Sequence, residues 1–253
     1  MKKLNFIFCI MSLFYFSSCA AFKPKLDKER AANIKKVVIL SMEIQQKQPK
    51  DALGLSQLGE KAARRSDSEE LKKMAKEIYQ YLAKKIENDT PWKVVSYNKI
   101  TSAGPYSQLF RQKMTGIRTV SFTSENTELI FPEGVIDNSA YGRMSFADKV
   151  KYAKSLGADA FAVYIAYQTI EQGISFGNIV GEAEFSFNTR SNLLVYGFDS
   201  EEPIWRVQNI DGESSRKSGE LKKDYTKLEM LGMLGKESAQ SSIDKMVQYY
   251  KTL

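Results

Sequence analysis

The chain predicts an α+β fold, with one mixed, mostly antiparallel sheet and helices packed on one face. Three observations carry that reading. Two apolar patterns of helical period each open on a capping box, at Ser66 to Glu69 and at Ser145 to Asp148. Short β-branched or aromatic runs lie beside them, at residues 37–40, 92–96 and 159–166. Three more strand-like segments then follow one another between residues 181 and 207, the spacing of a meander.

The first 36 residues stand apart. Met1, Lys2 and Lys3 make a positive start, and residues 4–16 are almost continuously apolar. Thirteen helical residues reach only about 20 Å, short of the ~30 Å hydrocarbon core, so the run reads as the core of a signal peptide covering residues 1–18. Phe16, Ser17, Ser18, Cys19 and Ala20 follow. They also fit a small-x-small signal-peptidase site, through Ser18, Cys19 and Ala20. With two small residues before a cysteine, the stretch resembles the lipobox of bacterial lipoproteins, departing from it at Phe16, where that family usually carries an aliphatic residue. The resemblance implies that the Cys19 thiol receives diacylglycerol (palmitate-type chains), that the chain is cut before it, and that the new amino group is acylated. Several acyl chains anchor stably where one alone is marginal. Ala20 after the cysteine, in place of Asp, is similar to family members sorted to the outer membrane. Residues 19–36 then read as the lipidated cysteine and a basic tether, with Pro24 and dense charge arguing against packing.

The remainder, residues 37–253, reads as a single α+β domain. Val37, Val38, Ile39 and Leu40 form a buried strand, and residues 45–65 a long polar loop. Leu71, Met74, Ala75, Ile78, Leu82 and Ile86 make one face of an amphipathic helix ending near Asn88. Pro91 stops it before the strand at residues 92–96. Residues 101–144 lack periodicity and read as an irregular insertion. Phe146, Val150, Ala153 and Leu156 line a second helix, with Gly157 just past its end. Residues 159–166 are apolar on both faces, hence a central strand. Residues 181–187 alternate, with Ala183, Phe185 and Phe187 inward. Thr189, Arg190, Ser191 and Asn192 read as a turn, residues 193–198 as a strand, 199–203 as a turn and 204–207 as a strand. Residues 211–223 read as polar and mobile. A terminal helix follows, with Leu234, Ala239, Ile243, Met246 and Val247 on its apolar face.

Gly157, Ala158 and Asp159 before a core strand, followed by a strand ending at Asp199, an acidic turn (Ser200, Glu201, Glu202) and a strand bearing Trp205, carry a second resemblance. They resemble a group of envelope lipoproteins that includes the amino-terminal domain of the Tol translocation protein, the curli-secretion channel lipoprotein and the penicillin-binding-protein activators. The match covers about fifty residues. It implies non-enzymatic work through an envelope protein partner, or an oligomeric secretion or assembly subunit.

Composition narrows the chemistry. The 253 residues include no histidine, which removes His-based triads and His-ligated metal sites. Cys9 leaves with the signal and Cys19 carries lipid, so no thiol remains for a disulfide or a metal, and no cofactor motif occurs. Ser-x-x-Lys occurs at Ser96/Lys99, Ser214/Lys217 and Ser242/Lys245, about as often as chance gives with 25 Ser and 28 Lys. Gly173, Gly177 and Gly181 lack the spacing of a nucleotide loop. Glu182 and Glu184 share a strand face and are the candidates for an exported carboxylate enzyme, against the simpler reading of a solvated face. Residues 117–131 offer arms too short for a membrane hairpin. Phe176, Tyr196 and Trp205 are the aromatics nominated as an exposed partner-binding patch. The formal charge is +7. Residues 37–253 hold 29 basic and 28 acidic residues, so the excess sits in the leader and tether, and a nucleic-acid partner loses its support.

Overall fold

The computed structural model describes residues 23–47, 69–104, 127–175, 182–217 and 227–253. In chain order these hold β1 (Lys25–Leu26), α1 (Lys28–Ala32), β2 (Lys36–Lys47), α2 (Glu69–Asp89), β3 (Lys93–Val94) and α3 (Tyr97–Ser102). They continue with β4 (Thr127–Ile130), α4 (Asn138–Gly142), α5 (Phe146–Ser155), β5 (Ala160–Ser175), β6 (Glu182–Tyr196), β7 (Pro203–Lys217) and α6 (Lys227–Thr252). The seven strands form one sheet in the order β1-β7-β6-β5-β2-β3, with β4 pairing β2 beside β3. β2 runs parallel to β3 and β5, and the remaining pairs are antiparallel. The fold is α+β, and the two long helices α2 and α6 pack together on one face.

Local chemistry explains why these elements stop where they do. The Ser145 hydroxyl accepts from the Asp148 N–H at 3.1 Å, the N-cap half of the expected capping box, and donates to the Asp148 carboxylate at 2.9 Å, where the box has that carboxylate accept the Ser145 backbone N–H. At the other end of α5, Gly157 takes φ +71°, its N–H reaches the Lys154 carbonyl and that of Ala158 reaches Ala153. This is the paired closure of a helix end that a left-handed residue permits. Asp159 then accepts the N–H groups of Lys35 and Lys36 at 3.2 and 3.0 Å, so the Gly-Ala-Asp run turns the chain and ties β5 to the start of β2. Ser66 of the first capping box lies outside the described residues, whereas its helix is formed, with Leu71, Met74, Ala75, Ile78, Leu82 and Ile86 all buried.

Four strands run further than their apolar cores suggest, β5 reaching Ser175 where the sequence predicts an end at residue 166. β2 continues to Lys47 and is buried along nearly all its length, as a strand covered on both faces must be. β6 passes straight through residues 189–192, where a turn was expected. Thr189 and Ser191 face α6: the Thr189 hydroxyl meets Ser238 at 2.6 Å, and Ser191 meets Ser242 at 2.7 Å and Tyr164 at 2.9 Å. Gln168 joins the ladder, donating to Thr189 at 3.2 Å and to the Gly235 carbonyl at 2.7 Å. Polar residues with buried partners need no turn. β7 likewise extends to Lys217, so the segment expected to be mobile from 211 is strand as far as that residue. A bulge sets Gln208 and Asn209 against Asn192, whose side chain accepts the Asn209 N–H at 2.8 Å.

The N-terminal boundary also moves. Residues 25–36 were expected to be tether, but β1 pairs with Arg206 and Trp205 of β7, and α1 is capped by Asp27. Arg30 grips Asp199 with two hydrogen bonds of 2.9 and 2.7 Å, and Ala31 is buried. Within the insertion at 101–144 the described residues are ordered: β4 pairs with the end of β2, and Ile136 bridges Ser41.

Beside that bridge, two carboxylates are buried where α4 meets β2. Glu43 accepts from the Asn138 N–H at 3.0 Å and from Gln45 at 2.8 Å, and Asp137 caps α4 through Ala140 at 2.6 Å. Burial pushes both carboxyls above their ordinary range, more than these hydrogen bonds pull them back. A raised carboxyl binds its proton in the folded chain before the unfolded one. Unfolding free energy, followed across a pH series, should therefore fall as pH rises from the ordinary carboxylate range through these raised values, then level off. Glu43→Gln should flatten that slope. A second expectation concerns Gly212 of β7, where an added Cβ would lie 2.2 Å from the Ser238 carbonyl oxygen of α6. Gly212→Ala should cost about 3 kcal/mol in denaturant unfolding, while Gly142→Ala, with nothing within 4 Å, should be neutral or stabilise by up to about 1 kcal/mol.

Candidate functional site

The nominated aromatic residues separate in the structure. Trp205 is fully buried and does not belong to an exposed patch. It meets Trp92 and Tyr250 edge-on, with centroids 5.9 and 5.3 Å apart, because its place opposite Val195 turns it toward α6. Among the described residues its indole N–H finds no hydrogen-bond partner. Tyr196 is half-buried and stacks on Phe161 at 5.2 Å, on the opposite face of the sheet. Phe146, Tyr141 and Phe198 close around that ring, so α4 and α5 cover this end of the second face. Phe176 lies outside the described residues.

Further along the same face nothing described covers the sheet. Side chains alternate, so Phe161, Ile165, Tyr167 and Thr169 point the same way. Tyr167 is 43% exposed, one of only two large hydrophobic residues so open among those described. It stands opposite Arg190, which pairs with Asp211 at 2.9 Å. The sequence offered a signal for Tyr167 in its alternation with buried Ala166 and Gln168, but only the layering shows which side remains open.

The second open region, among the described residues, is the outer edge of β7. β1 occupies that edge only at Trp205 and Arg206. Past them, a cleft of about 450 Å³ runs between the edge and the last turns of α6, lined by Asn209, Ile210, Asp211, Lys245, Gln248, Tyr249 and Thr252. Asn209 holds φ +57°, and Lys245 donates to the Asp211 carbonyl at 2.8 Å. Tyr249, 37% exposed, is the other open aromatic. Sequence reasoning missed these residues, because the cleft joins two elements whose polar residues read singly as surface.

The catalytic motifs find ordinary partners. Ser96 caps α3 by accepting the Lys99 backbone N–H, Ser214 donates to Glu237 and Ser242 belongs to the hydroxyl ladder. The backbones of Glu182 and Glu184 lie opposite Ser175 and Gly173 at the start of β6. Glu43 and Asp137 are almost fully buried and hold backbone N–H groups. Among the described residues no cluster of His, Cys, Asp or Glu could hold a metal, and no helix is long and apolar enough to cross a membrane. Cys19 and residues 117–126 lie outside the described residues; Thr127–Ile130 of the candidate pore hairpin pairs with β2.

No protein-family model matches the chain, and no curated protein does. Among solved structures it is similar to a hypothetical protein of Chlamydia trachomatis, at 12% identity over 87% of this chain and 99% of that one, with a TM-score of 0.35. A lipoprotein of Neisseria meningitidis gives 12% identity over 87% and 99%, with a TM-score of 0.30. The C-terminal domain of LpoB from Salmonella enterica gives 11% identity over 73% and 83%, with a TM-score of 0.26.

Proposed function

We propose that this chain is exported, lipidated at Cys19 and held at the outer membrane, where its domain works as a non-enzymatic binding or scaffold module for another envelope protein. The observation that carries the reading is Cys19 itself. It ends a 13-residue apolar run and its two small residues, and it stands six residues before the first strand of the domain. With Cys9 removed in the signal peptide, a cysteine so placed would have no disulfide partner in the processed chain.

The partner contact falls on the uncovered part of the sheet around Tyr167, with Tyr196 at its covered end. An aromatic ring that stays open on a flat polar face supplies apolar contact at low entropic cost. Opposing it to the charged Arg190 keeps the free domain soluble.

Metabolic labelling with a radioactive fatty acid tests the anchor. The natural chain should take up label in its processed form, and Cys19→Ala should lose it and accumulate as precursor. Label persisting on Cys19→Ala would sink the proposal. A photo-crosslinker placed at Tyr167 should capture a discrete envelope protein in cells, and the same group at Lys84, on the exposed side of α2, should not.

A further inference from the structure

Where the cleft opens, the edge of β7 is ill suited to take another strand. A flat, unpaired edge is a template for strand addition. Here the bulge at Gln208 and Asn209 breaks the ladder, and Asn209 holds φ +57°, the one positive φ outside glycine among the described residues. Asparagine adopts that conformation more readily than most residues, but it is still uncommon, and bulges serve to re-aim a side chain beside a site. The Asn209 N–H is taken by the Asn192 side chain at 2.8 Å, while the residue itself is exposed on the cleft wall. Two residues on, Lys245 donates to the Asp211 carbonyl at 2.8 Å and ties this stretch of the strand to α6.

What the cleft offers instead is a small surface of mixed chemistry. Its volume of about 450 Å³ falls within the range of small-molecule sites. Tyr249 exposes a ring there and Ile210 adds an aliphatic side chain, while Asn209 and Gln248 bring planar amides. Of the described residues lining it, Lys245 is the one cation and Asp211 the one anion, and they stand together. The wall therefore has no net charge with which to hold a phosphate or a carboxylate. An oily ligand would cover the two amides without pairing them, which costs free energy. The chemistry that remains is a neutral molecule with one apolar face and a rim of hydroxyls. A pyranose ring has both: its C–H face lies on an aromatic ring, and its hydroxyls donate to and accept from side-chain amides.

We propose that the cleft between β7 and the last turns of α6 binds a neutral saccharide, with Tyr249 as the stacking platform and Asn209 and Gln248 as hydroxyl partners. A cleft of this size takes about two pyranose rings. The unusual backbone at Asn209 then has a use, because the bulge departs from the regular alternation of the edge at the residue that meets the sugar. Asn209, Gln248 and Tyr249 are all exposed, so the site is shallow and its affinity modest. It is separate from the partner contact proposed above, since Tyr167 lies two strands away on β5, and it needs no lipid at Cys19.

The test is a nuclear magnetic resonance titration of the full chain, held in a detergent without a sugar head group. The probes are cellobiose, maltose and N,N′-diacetylchitobiose, with inorganic phosphate as the anionic counterpart. At least one sugar should shift the amide signals of residues 208–211 and 245–252 saturably, with a Kd of about 1 mM, and phosphate should not. Tyr249→Ala should weaken that binding about tenfold, whereas Tyr249→Phe, which keeps the ring, should stay within about twofold. Asn209→Gly suits the positive φ and removes only the amide, and should weaken binding about threefold. Tyr167→Ala should leave it unchanged. The proposal is overturned by the lack of a saturable shift with all three sugars, by shifts confined to other residues, or by equal affinity in Tyr249→Ala. Unchanged affinity in Asn209→Gly overturns it as well, so the outcome does not hang on Tyr249→Ala folding. Stronger shifts with phosphate than with any sugar would assign the cleft to anions instead. None of these results bears on the fatty-acid labelling of Cys19 or on capture at Tyr167.

Discussion

Everything in this domain is arranged around how closely α6 approaches the sheet. A helix on a sheet is normally held off by a layer of aliphatic side chains. Here an added Cβ at Gly212 would sit 2.2 Å from one α6 backbone atom and 2.3 Å from another. So near an approach leaves space only for glycine and hydroxyls, and the interface is built from Thr189, Ser191, Ser238 and Ser242, with Tyr164 and Gln168 beneath. Each of these groups would be costly to bury alone and is satisfied by another. The aliphatic contacts lie to either side, toward α2 and toward the Trp92, Trp205 and Tyr250 cluster.

That interface also explains which parts of the fold were legible in the sequence. The helix faces and the α5 caps were, since their partners lie within four or five residues. Leu71 through Ile86, Ser145 with Asp148, and Gly157 needed nothing beyond local spacing. Thr189 to Asn192 misled for the opposite reason. Their polarity is that of a turn, and the groups satisfying Thr189 and Ser191 lie about fifty residues away on α6. Trp205 carried no local mark of which side it faced. The two open aromatics, Tyr167 and Tyr249, were invisible as a site because openness is a property of what other elements leave uncovered.

Charge has to be reassigned along with the boundary. With residues 23–36 part of the fold, the domain gains six basic and two acidic residues, and from Lys23 onward it carries 35 basic against 30 acidic. The excess belongs to the body of the molecule, at one end of it. Arg30 is committed to Asp199, whose carboxyl it holds below the ordinary range, while Lys23, Lys25 and Lys28 in and beside β1 remain exposed. Glu29, Glu201 and Glu202 are exposed at the same end, so the local field is mixed and any pull toward anionic head groups is small.

The shortened link changes what lipidation would do. An 18-residue flexible stalk has a root-mean-square reach of roughly 24 Å, and six residues have roughly 13 Å. Were Cys19 lipidated, a six-residue link would hold the sheet face closer to the membrane than an 18-residue stalk and would narrow its search for a partner. Tethering would then act by orientation: the domain is held by its β1 edge, and the uncovered face around Tyr167 is presented sideways to the bilayer. A partner on the same membrane meets that face at high local concentration, whereas one deep in the periplasm must come to the surface to reach it.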